Sequence, residues 1–318
     1  MRFAFTEDQL MLRDAVKDAL VGECTPEVLR GAWSQPADLW PQLAEQGVLA
    51  LTVPESLGGL GMGAVDWVLV LEEAGRVALP EPLIEHLSAT ELLLEAGESE
   101  LVEKLATGEA RVTVSWDGAP AVAADRADAV VRLDPSGAQL LTEFACTAQP
   151  CADQARRVFS IQGEGRALDG DHEAAFDRAA LAASAQLLGL GNQVLDLAVE
   201  YAKARRQFGK PIGSYQAVQH HLVDALLKLK FAGPVVYRAA HSVATNDPQR
   251  ALHVSMAKIY ASEAAALACR KSLQVHGAIG YTFEYDLHLW MKRVWALSAA
   301  WGSPAWHRDR ASLSVLGA

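Results

Sequence analysis

The C-terminal half of the chain carries a long apolar stripe at helical spacing. Apolar residues recur there every three or four positions, at Leu187, Leu190, Val194, Leu197, Ala198 and Tyr201. This spacing marks one face of an α-helix. The periodic segment runs from about residue 175 to residue 206, and at 1.5 Å per residue such a helix is roughly 45 Å long. A stripe of that length predicts packing against other long helices.

Further long helical segments follow at residues 216–244, 248–276 and 286–300, and short breaks join them. Long helices with short connections predict an antiparallel four-helix bundle. The sequence shows no internal repeat of about 20–50 residues, which argues against a solenoid.

The first 110 residues also show helical periods. Thr6 and Gln9 predict a capping box, in which Thr6 accepts from the Gln9 amide while the Gln9 side chain reaches back. Other helices are predicted over residues 38–46, 64–74, 82–96 and 98–106. The stretch VPESLGGLGMG at residues 53–63 contains one proline and four glycines, so it is predicted to be a shaped loop.

Residues 111–170 change to β-rich composition. The stretches RVTVSW, DAVVRL, AQLL and RRVFSIQG predict strands, and DPSG predicts a turn. About 60 residues suffice for one compact sheet layer. The predicted fold is therefore mainly α with a small β insert. We expect an N-terminal helical domain (1–110), a reduced middle β domain (111–172) and a C-terminal four-helix bundle (173–318).

Composition excludes several functional classes. Hydrophobic residues make up 51% of the chain, as in packed globular proteins. The net charge of -11 argues against a nucleic-acid binder, which needs a basic surface. The sequence contains no run of 18 apolar residues, so it predicts no membrane span. The start MRFAFTEDQL turns polar too early for a signal peptide, so a cytoplasmic protein is expected.

Two patterns that could indicate a ligand favour a structural interpretation. His220, His221 and Asp224 share a predicted helix, but no further ligands are spaced to complete a metal site. Cys146 and Cys151 are close without a zinc-type partner pair, so reduced thiols and no metal are expected. The glycines of residues 59–63 superficially match a dinucleotide fingerprint but lack its βαβ context.

The stretch RRQFGKPIGSYQ, at residues 205–216, decorates the end of the first long helix. One interpretation is a positive cap that complements the helix dipole. The other is a contact with an anion and an aromatic ring, made by guanidinium groups and the Phe208 phenyl. A second stretch, LQVHGAIGYTFEY at residues 273–285, ends another helix, and Gly277 and Gly280 allow close backbone approach to a ligand.

Together these stretches resemble motifs of the acyl-CoA dehydrogenase family. RRQFGKPIGSYQ is similar to the family's R-x-Q-F-G-x-P-I-x-x-x-Q, and QVHGAIGYTFEY to its Q-x-x-G-G-x-G-Y-x-x-E-Y. VPESLGGLGMG, with WPQLAEQGVLAL upstream, resembles its N-terminal signature. The resemblance spans nearly the whole chain and keeps the order of the motifs. It implies α,β-desaturation of an acyl-CoA, with FAD taking the hydride and an electron-transfer flavoprotein reoxidising the flavin.

The resemblance also implies cofactor contacts. Arg205, Gln207 and Phe208 would contact the FAD diphosphate and adenine region of a neighbouring subunit, and Gln274 and Gly277 would do so from the second loop. Guanidinium and amide donors suit a diphosphate, and glycine permits close approach.

The catalytic base of the family is missing at its matching positions. Counting from Arg293 places Gly302 where the family has its glutamate, and the alternative family position falls at Ala179. Glycine has no side chain and alanine has only a methyl group, so neither residue can abstract a proton. Asp177 lies two residues from Ala179, on another face of the helix.

The middle domain also departs from the family, because its T-E-P-x-x-G-S and W-I-T motifs are not found. After residues 113–116 the chain continues as if a piece were missing, so this subunit is expected not to cradle a flavin by itself. These losses, with the ending WGSPAWHRDR, resemble short degenerate chains of the heteromeric (α2β2) acyl-CoA dehydrogenases of actinobacterial steroid breakdown. The resemblance implies a homologous partner subunit, fewer flavins than subunits, and a steroid-derived acyl-CoA substrate.

Two alternatives stay open at this stage. The missing glutamate also fits a catalytically dead subunit that scaffolds another protein. A self-sufficient homomeric dehydrogenase with an atypical base, Asp177 or Glu284, is the other alternative.

Overall fold

The computed structural model describes residues 4–316, and its first third is helical. The helices of this part are α1 (Glu7–Glu23), α2 (Pro26–Gly31), α3 (Trp40–Glu45), α4 (Ala64–Arg76), α5 (Leu83–Glu95) and α6 (Ser99–Thr107). The predicted capping box of α1 is confirmed: the Thr6 N–H donates to Gln9 Oε1 at 2.9 Å, and the Gln9 N–H donates to Thr6 Oγ1 at 3.3 Å. Helix α2 was not predicted, although Thr25 caps it and Pro26 occupies its first position.

The loop predicted over residues 53–63 is confirmed. It folds back on the segment before it, where the Leu60 N–H donates to the Ala50 carbonyl at 3.0 Å and the Met62 N–H donates to the Leu51 carbonyl at 2.7 Å. Helices lie on both sides of it, so its glycines serve a tight connection and do not form a strand-to-helix nucleotide loop.

The middle part is formed by short strands. They are β1 (Val112–Trp116), β2 (Ala121–Val122), β3 (Ala129–Asp134), β4 (Gly137–Leu141), β5 (Ala145–Gln149), β6 (Val158–Gln162) and β7 (Arg166–Leu168). The strands predicted at β1, β3, β4 and β6 are confirmed. The single layer expected from the sequence is wrong, because the strands form two sheets with the orders β1-β3-β4-β7 and β2-β6-β5.

The turn after β1 carries the chain from the first sheet into the second. Asp117 and Gly118 both have positive φ, 47° and 74°, so the chain turns sharply after β1 and starts β2 in the other sheet. The Thr113 hydroxyl donates to the Val122 carbonyl at 2.6 Å and joins the two sheets. Strands β1 and β3 run parallel, and all other paired strands described here run antiparallel.

The C-terminal part contains the long helices and one small hairpin. Its elements are α7 (His172–Ala204), β8 (Arg206–Gln207), β9 (Lys210–Pro211), α8 (Gln216–Ala244), α9 (Arg250–His276), α10 (Leu287–Ala299) and α11 (Pro304–Leu316). The predicted bundle is confirmed with one change, since two 13-residue helices, α10 and α11, share the fourth position against α9. Helix α11 was missed in the sequence, where Pro304 marks its start.

The predicted fold class, mainly α with a small β insert, is confirmed. Across residues 4–316, every helix is too short or too polar to cross a lipid bilayer.

Helices α4 and α7 touch backbone to backbone. A Cβ atom added to Gly189 of α7 would lie 1.9 Å from the Glu72 carbonyl oxygen of α4, and one added to Gly75 would lie 2.2 Å from the Gln186 carbonyl oxygen. Above this crossing the Tyr237 hydroxyl of α8 donates to Glu72 Oε2 at 2.8 Å. The N-terminal helices are thereby packed directly on the bundle.

The close crossing predicts a large effect of one methyl group. Gly189→Ala forces α4 and α7 apart and should lower the free energy of unfolding by about 1–3 kcal/mol or more, as overpacking does. Urea denaturation measures this. Gly22→Ala is the matched control, because its Cβ would meet nothing within 4 Å and alanine favours the helix by up to about 1 kcal/mol. Equal stability of the two variants would contradict the crossing.

Candidate active site

The hairpin of β8 and β9 projects from the end of α7. Its two-residue turn has positive φ at both positions, 52° at Phe208 and 83° at Gly209, as in a type I′ turn. A left-handed phenylalanine costs roughly 1–2 kcal/mol. The Tyr215 hydroxyl donates to the Gln207 carbonyl at 3.2 Å, and the Lys210 ammonium lies 4.3 Å from the Tyr215 ring centroid. The hairpin is thus fixed from below while Phe208 stays 92% exposed.

Three exposed cations lie in the sequence around this exposed ring. Arg205, Arg206 and Lys210 are exposed, and none forms a salt bridge within the described part of the chain, although Lys203 on the preceding turn pairs with Glu200. A cap at the helix end accounts for Arg205, but it leaves the order of the hairpin and the exposed Phe208 unexplained. The geometry therefore favours contact with an external anion and an aromatic ring.

The second predicted loop begins where α9 ends. The helix predicted over residues 248–276 ends at His276 as expected, and Gly277 then takes a φ of 64°. Gln274 and Gly277 are both exposed. The next segment, Gly277–Tyr281, forms a 3₁₀ turn.

An aromatic stack brings the two loops to one end of the bundle. Tyr201, the last residue of the α7 stripe, stacks on His276 of α9 with centroids 4.5 Å apart, and the Tyr285 ring centroid lies 4.7 Å from that of His276. The structure thus brings together the elements that carry all five predicted cofactor-contact residues. Their binding roles stay predictions.

A separate cavity of about 390 Å³ lies between the β sheets and the turn that joins α10 to α11. Its lining comprises Glu85, Val114, Trp116, Ala119, Pro120, Pro150, Cys151, Ala152, Arg156, Val158, Ala296, Ala299, Ala300, Trp301 and Gly302. Most of this wall is apolar. Glu85 and Arg156 are its charged side chains, 4% and 13% exposed, with 3.6 Å between Oε1 and Nη2.

Two buried side chains, Lys258 and His307, hold the turn between α10 and α11 that lies beside this cavity. The Lys258 ammonium donates to the Gly302 carbonyl at 2.9 Å and to the Ser298 carbonyl at 3.2 Å. His307 Nε2 lies 2.8 Å from the Trp301 carbonyl, and burial lowers the pKa of His307 to about 3, so this neutral ring donates there. Trp301 and Gly302 are thereby fixed in left-handed conformations, with φ of 56° and 84°.

The turn has no room for a side chain at the position matched to the family glutamate. A Cβ at Gly302 would lie 2.7 Å from both His307 Nε2 and Trp306 Cε3. Such distances require other atoms to move, and the φ of 84° disfavours any residue except glycine. The sequence predicts no catalytic base at position 302, and the packing of the turn leaves no room there for a larger side chain.

The other candidate bases are also unsuited to proton abstraction. Ala179 is buried in helix packing. Asp177, named as an atypical base, has Arg250 Nε 2.9 Å from Oδ2 and Arg310 Nη1 2.5 Å from Oδ1. Both oxygens are therefore neutralised in structural ion pairs. Glu284 is exposed on the second loop and does not line the cavity.

Glu85 is the acidic side chain that the sequence interpretation missed. It lies on α5 among Leu83, Ile84 and Leu87, all of them buried. A single acid inside so apolar a stretch was the available signal. Burial raises the pKa of the Glu85 carboxyl, and the charge of Arg156 opposes that rise.

His221 and Asp224 have a structural partner. The Lys271 ammonium lies 3.0 Å from His221 Nδ1 and 3.0 Å from Asp224 Oδ2. A lysine at the centre of this group supplies the positive charge that a metal ion would otherwise bring.

Comparisons with known proteins agree with the order of these elements. The family profile "Acyl-CoA dehydrogenase, N-terminal domain" matches residues 6–111, and "Acyl-CoA dehydrogenase, C-terminal domain" matches residues 171–315. Acyl-CoA dehydrogenase IpdE2 of Mycolicibacterium smegmatis is 34% identical over 94% of this chain and 96% of its own length. The chain belongs to the acyl-CoA dehydrogenase family.

Two solved structures extend the comparison. A chain of the ChsE4-ChsE5 complex from Mycobacterium tuberculosis has a TM-score of 0.88 and 25% identity, with both chains fully covered. A chain of a Tcur3481-Tcur3483 steroid ACAD variant has a TM-score of 0.89 and 22% identity over 98% of each chain. The family resemblance predicted from the sequence is confirmed.

The cavity and the hairpin differ in the positively charged groups that they could offer to the FAD diphosphate. The cavity of this dehydrogenase-family chain has one cation, Arg156, which faces Glu85, so a diphosphate would find no free positive charge there. The hairpin offers Arg205, Arg206 and Lys210, which are exposed and form no ion pair among residues 4–316. A flavin diphosphate fits the hairpin and does not fit the cavity.

The buried lysine beneath the turn predicts a pH effect on stability. Burial lowers the pKa of Lys258 from 10.5 to about 7. Between these values the unfolded chain binds more protons, so stability rises with pH by up to about 1.4 kcal/mol per pH unit. We expect the free energy of unfolding, relative to Lys258→Met, to increase from pH 7 to 9 in urea titrations. The exposed-site variant Lys228→Met should parallel the wild type, and a parallel profile for Lys258→Met would contradict the effect.

Proposed function

We propose that this chain is one subunit of a heteromeric, FAD-dependent acyl-CoA dehydrogenase whose two loops contact a flavin held mainly by a homologous partner chain. The observation that carries the proposal is the hairpin, which presents Phe208 at 92% exposure among exposed cations that form no ion pair within the described residues. An exposed aromatic ring in a strained, internally braced turn is best explained by a ligand or chain that covers it.

Each residue of the two loops has a chemical role in this contact. Arg205 binds the flavin diphosphate through charge-assisted hydrogen bonds, and Phe208 packs against the adenine. Gln207 and Gln274 supply amide groups to the same region, and Gly277 lets the backbone approach. FAD, when bound, accepts the hydride from the β-carbon of the acyl-CoA.

The proton that leaves the α-carbon goes to a base on the partner chain. In this chain Gly302 has no side chain and no room for one, and Ala179 is buried. Asp177 is held by two arginines. The turn around Gly302 keeps its shape through Lys258 and His307 but carries no proton acceptor of its own.

A second surface fits the partner chain itself. Helix α8 buries one face in the bundle and exposes apolar side chains on the opposite face, at Val223, Leu226, Leu227 and Phe231. Their spacing of three, four and eight residues makes them one stripe. A helix that is apolar on both faces requires a second covering surface.

The relatives support a proposal for the assembly and the substrate. A structure neighbour is a complex of two unlike chains, ChsE4 and ChsE5, and another is named a steroid ACAD. We extend these properties to this chain as an α2β2 heterotetramer that acts on a steroid-derived CoA thioester. An electron-transfer flavoprotein would reoxidise the flavin.

Substitution in the hairpin tests the flavin contact. Arg205→Ala in the co-purified complex removes a charge-assisted hydrogen bond of about 1.5–3 kcal/mol, so FAD affinity should fall roughly 10- to 100-fold. Flavin release by the diluted complex, followed by absorbance, measures this, and Lys203→Ala on the last turn of α7 is the matched control.

The outcome separates the alternatives. Unchanged flavin affinity and turnover in Arg205→Ala would favour a scaffold subunit with no share in the active site. A lone chain that is yellow and reduces a dye with an acyl-CoA would favour the self-sufficient homomeric enzyme. A colourless lone chain, with loss of FAD from the variant complex, supports the cross-interface contact.

The α8 stripe predicts a separate defect in assembly. Phe231 is 69% exposed in the single chain. Phe231→Ser should weaken association of the complex by about 1–3 kcal/mol, because it removes an aromatic side chain that the interface would bury. Analytical ultracentrifugation of the complex should show dissociation at higher protein concentration than in the wild type. Lys228→Ser lies on the same helix outside the stripe and should leave association unchanged; equal association of both variants would show that α8 faces solvent.

A further inference from the structure

Both ends of the β8–β9 hairpin rest on the last turn of α9. Ahead of the hairpin, the Tyr201 ring stacks on the His276 ring. The Arg205 N–H donates to the Tyr201 carbonyl at 2.8 Å, so the residue just before β8 is bonded to the residue that carries this stack. After the hairpin, Ile212 packs in an apolar cluster with Val275, the neighbour of His276 in the chain. The position of the hairpin therefore depends on the end of a helix that is distant in the sequence.

The second loop, residues 277–286, also rests on His276. The Tyr285 ring centroid lies 4.7 Å from that of His276 and 5.9 Å from that of Tyr201, so the three rings form one cluster. The loop backbone folds closely over the histidine as well, because a Cβ added to Gly280 would lie 3.0 Å from His276 Cβ. His276 thus lies between the base of the hairpin and the second loop.

The His276 ring is held in one orientation. Its Nδ1 lies 2.7 Å from the Ser272 carbonyl, which can only accept a hydrogen bond, so Nδ1 carries the proton and donates. The residue is 4% exposed, and burial lowers the pKa of the imidazole, so the ring is neutral at neutral pH. A side chain that is fixed both by packing and by a hydrogen bond can hold neighbouring segments in a defined geometry.

We propose that His276 is a positioning residue, which holds the β8–β9 hairpin and the second loop in one arrangement through the ring cluster of Tyr201, His276 and Tyr285. The purpose of this arrangement rests on the proposed function, in which both loops contact the same flavin. Fixing the two loops before the ligand arrives strengthens binding, because less conformational freedom is lost in the complex. In this role His276 acts through the loops and makes no contact with the ligand.

Hydrogen exchange of the hairpin tests this role independently of flavin binding. His276→Ala, in the full chain purified in the assembly that it forms, removes the ring on which Tyr201 stacks. Mass spectrometry should show about 2- to 10-fold faster exchange of the amides of residues 205–212, as expected for the loss of an aromatic pair that limits local opening.

His86→Ala is the matched control. His86 is also buried, lies 2.8 Å from the Leu49 carbonyl and packs against the Trp40 ring, but it lies on α5 and outside the ring cluster. Its loss should leave hairpin exchange at the wild-type rate. Unchanged exchange in His276→Ala, or an equal increase in His86→Ala, would overturn the proposal.

Two further variants decide the question should His276→Ala fail to fold. His276→Phe keeps the ring and loses one hydrogen bond, since Nε2 has no partner within the described residues. It should stay within about twofold of wild-type exchange, because the aromatic pair is kept. Tyr285→Ala removes a partly exposed ring from the second loop and should still accelerate exchange of the hairpin. Wild-type hairpin exchange in Tyr285→Ala would reject the coupling of the two loops.

Flavin affinity of the co-purified complex tests the purpose of the arrangement. His276→Ala should lower FAD affinity several-fold when Arg205 is present, and by a smaller factor in the Arg205→Ala background, where a group that it positions is already absent. Equal factors in both backgrounds would contradict a positioning role at the flavin. Failure of the proposed function has a different signature: Arg205→Ala alone then leaves flavin affinity unchanged, while hairpin exchange still responds to His276→Ala.

Discussion

A buried ion pair between Arg293 and Asp153 joins the three parts of the chain. Arg293 lies on α10, Asp153 in the loop between β5 and β6, and the same guanidinium donates to the Leu79 carbonyl ahead of α5. The two side chains are 4% and 6% exposed, so loss of either partner would leave a buried charge unpaired, at a cost of about 3–5 kcal/mol. The β loop, the last bundle helices and α5 are the walls of the cavity. One guanidinium therefore sets their mutual positions.

The cavity and the hairpin divide the polar chemistry of the chain in opposite ways. In the cavity a carboxylate and a guanidinium face each other within an apolar wall, and both are shielded from bulk water. At the hairpin the cations are exposed and form no ion pair in the described part of the chain, and the Phe208 ring is 92% exposed among them. The exposed hairpin cations can therefore attract an external anion, whereas in the cavity the positive charge of Arg156 already faces the Glu85 carboxylate. The hairpin therefore has the chemistry that the proposed flavin contact requires, and the cavity does not.

The sequence predicted what depends on local pattern and missed what depends on tertiary contact. The long helices followed from apolar periodicity, and the loops at the ends of α7 and α9 followed from short motifs. Helix α11 was missed because its 13 residues bury little beyond His307 and so show no apolar period. The second sheet was missed because its strand β2 is two residues long. The apolar surroundings of Glu85 were a signal in the sequence, but only the fold brings α5 against the cavity. The ion pairs of Asp177 with Arg250 and Arg310 likewise depend on tertiary contact.

The absence of a base at Gly302 is part of the packing of the turn. Lys258 and His307 fix the backbone on one side, and His307 and Trp306 occupy the space where a Cβ would lie. A glutamate placed there would need a left-handed backbone, displacement of a buried histidine and a new position for an indole ring. A single substitution does not supply these changes together. The lack of a side-chain base at this position is therefore a consequence of how the end of the bundle is packed.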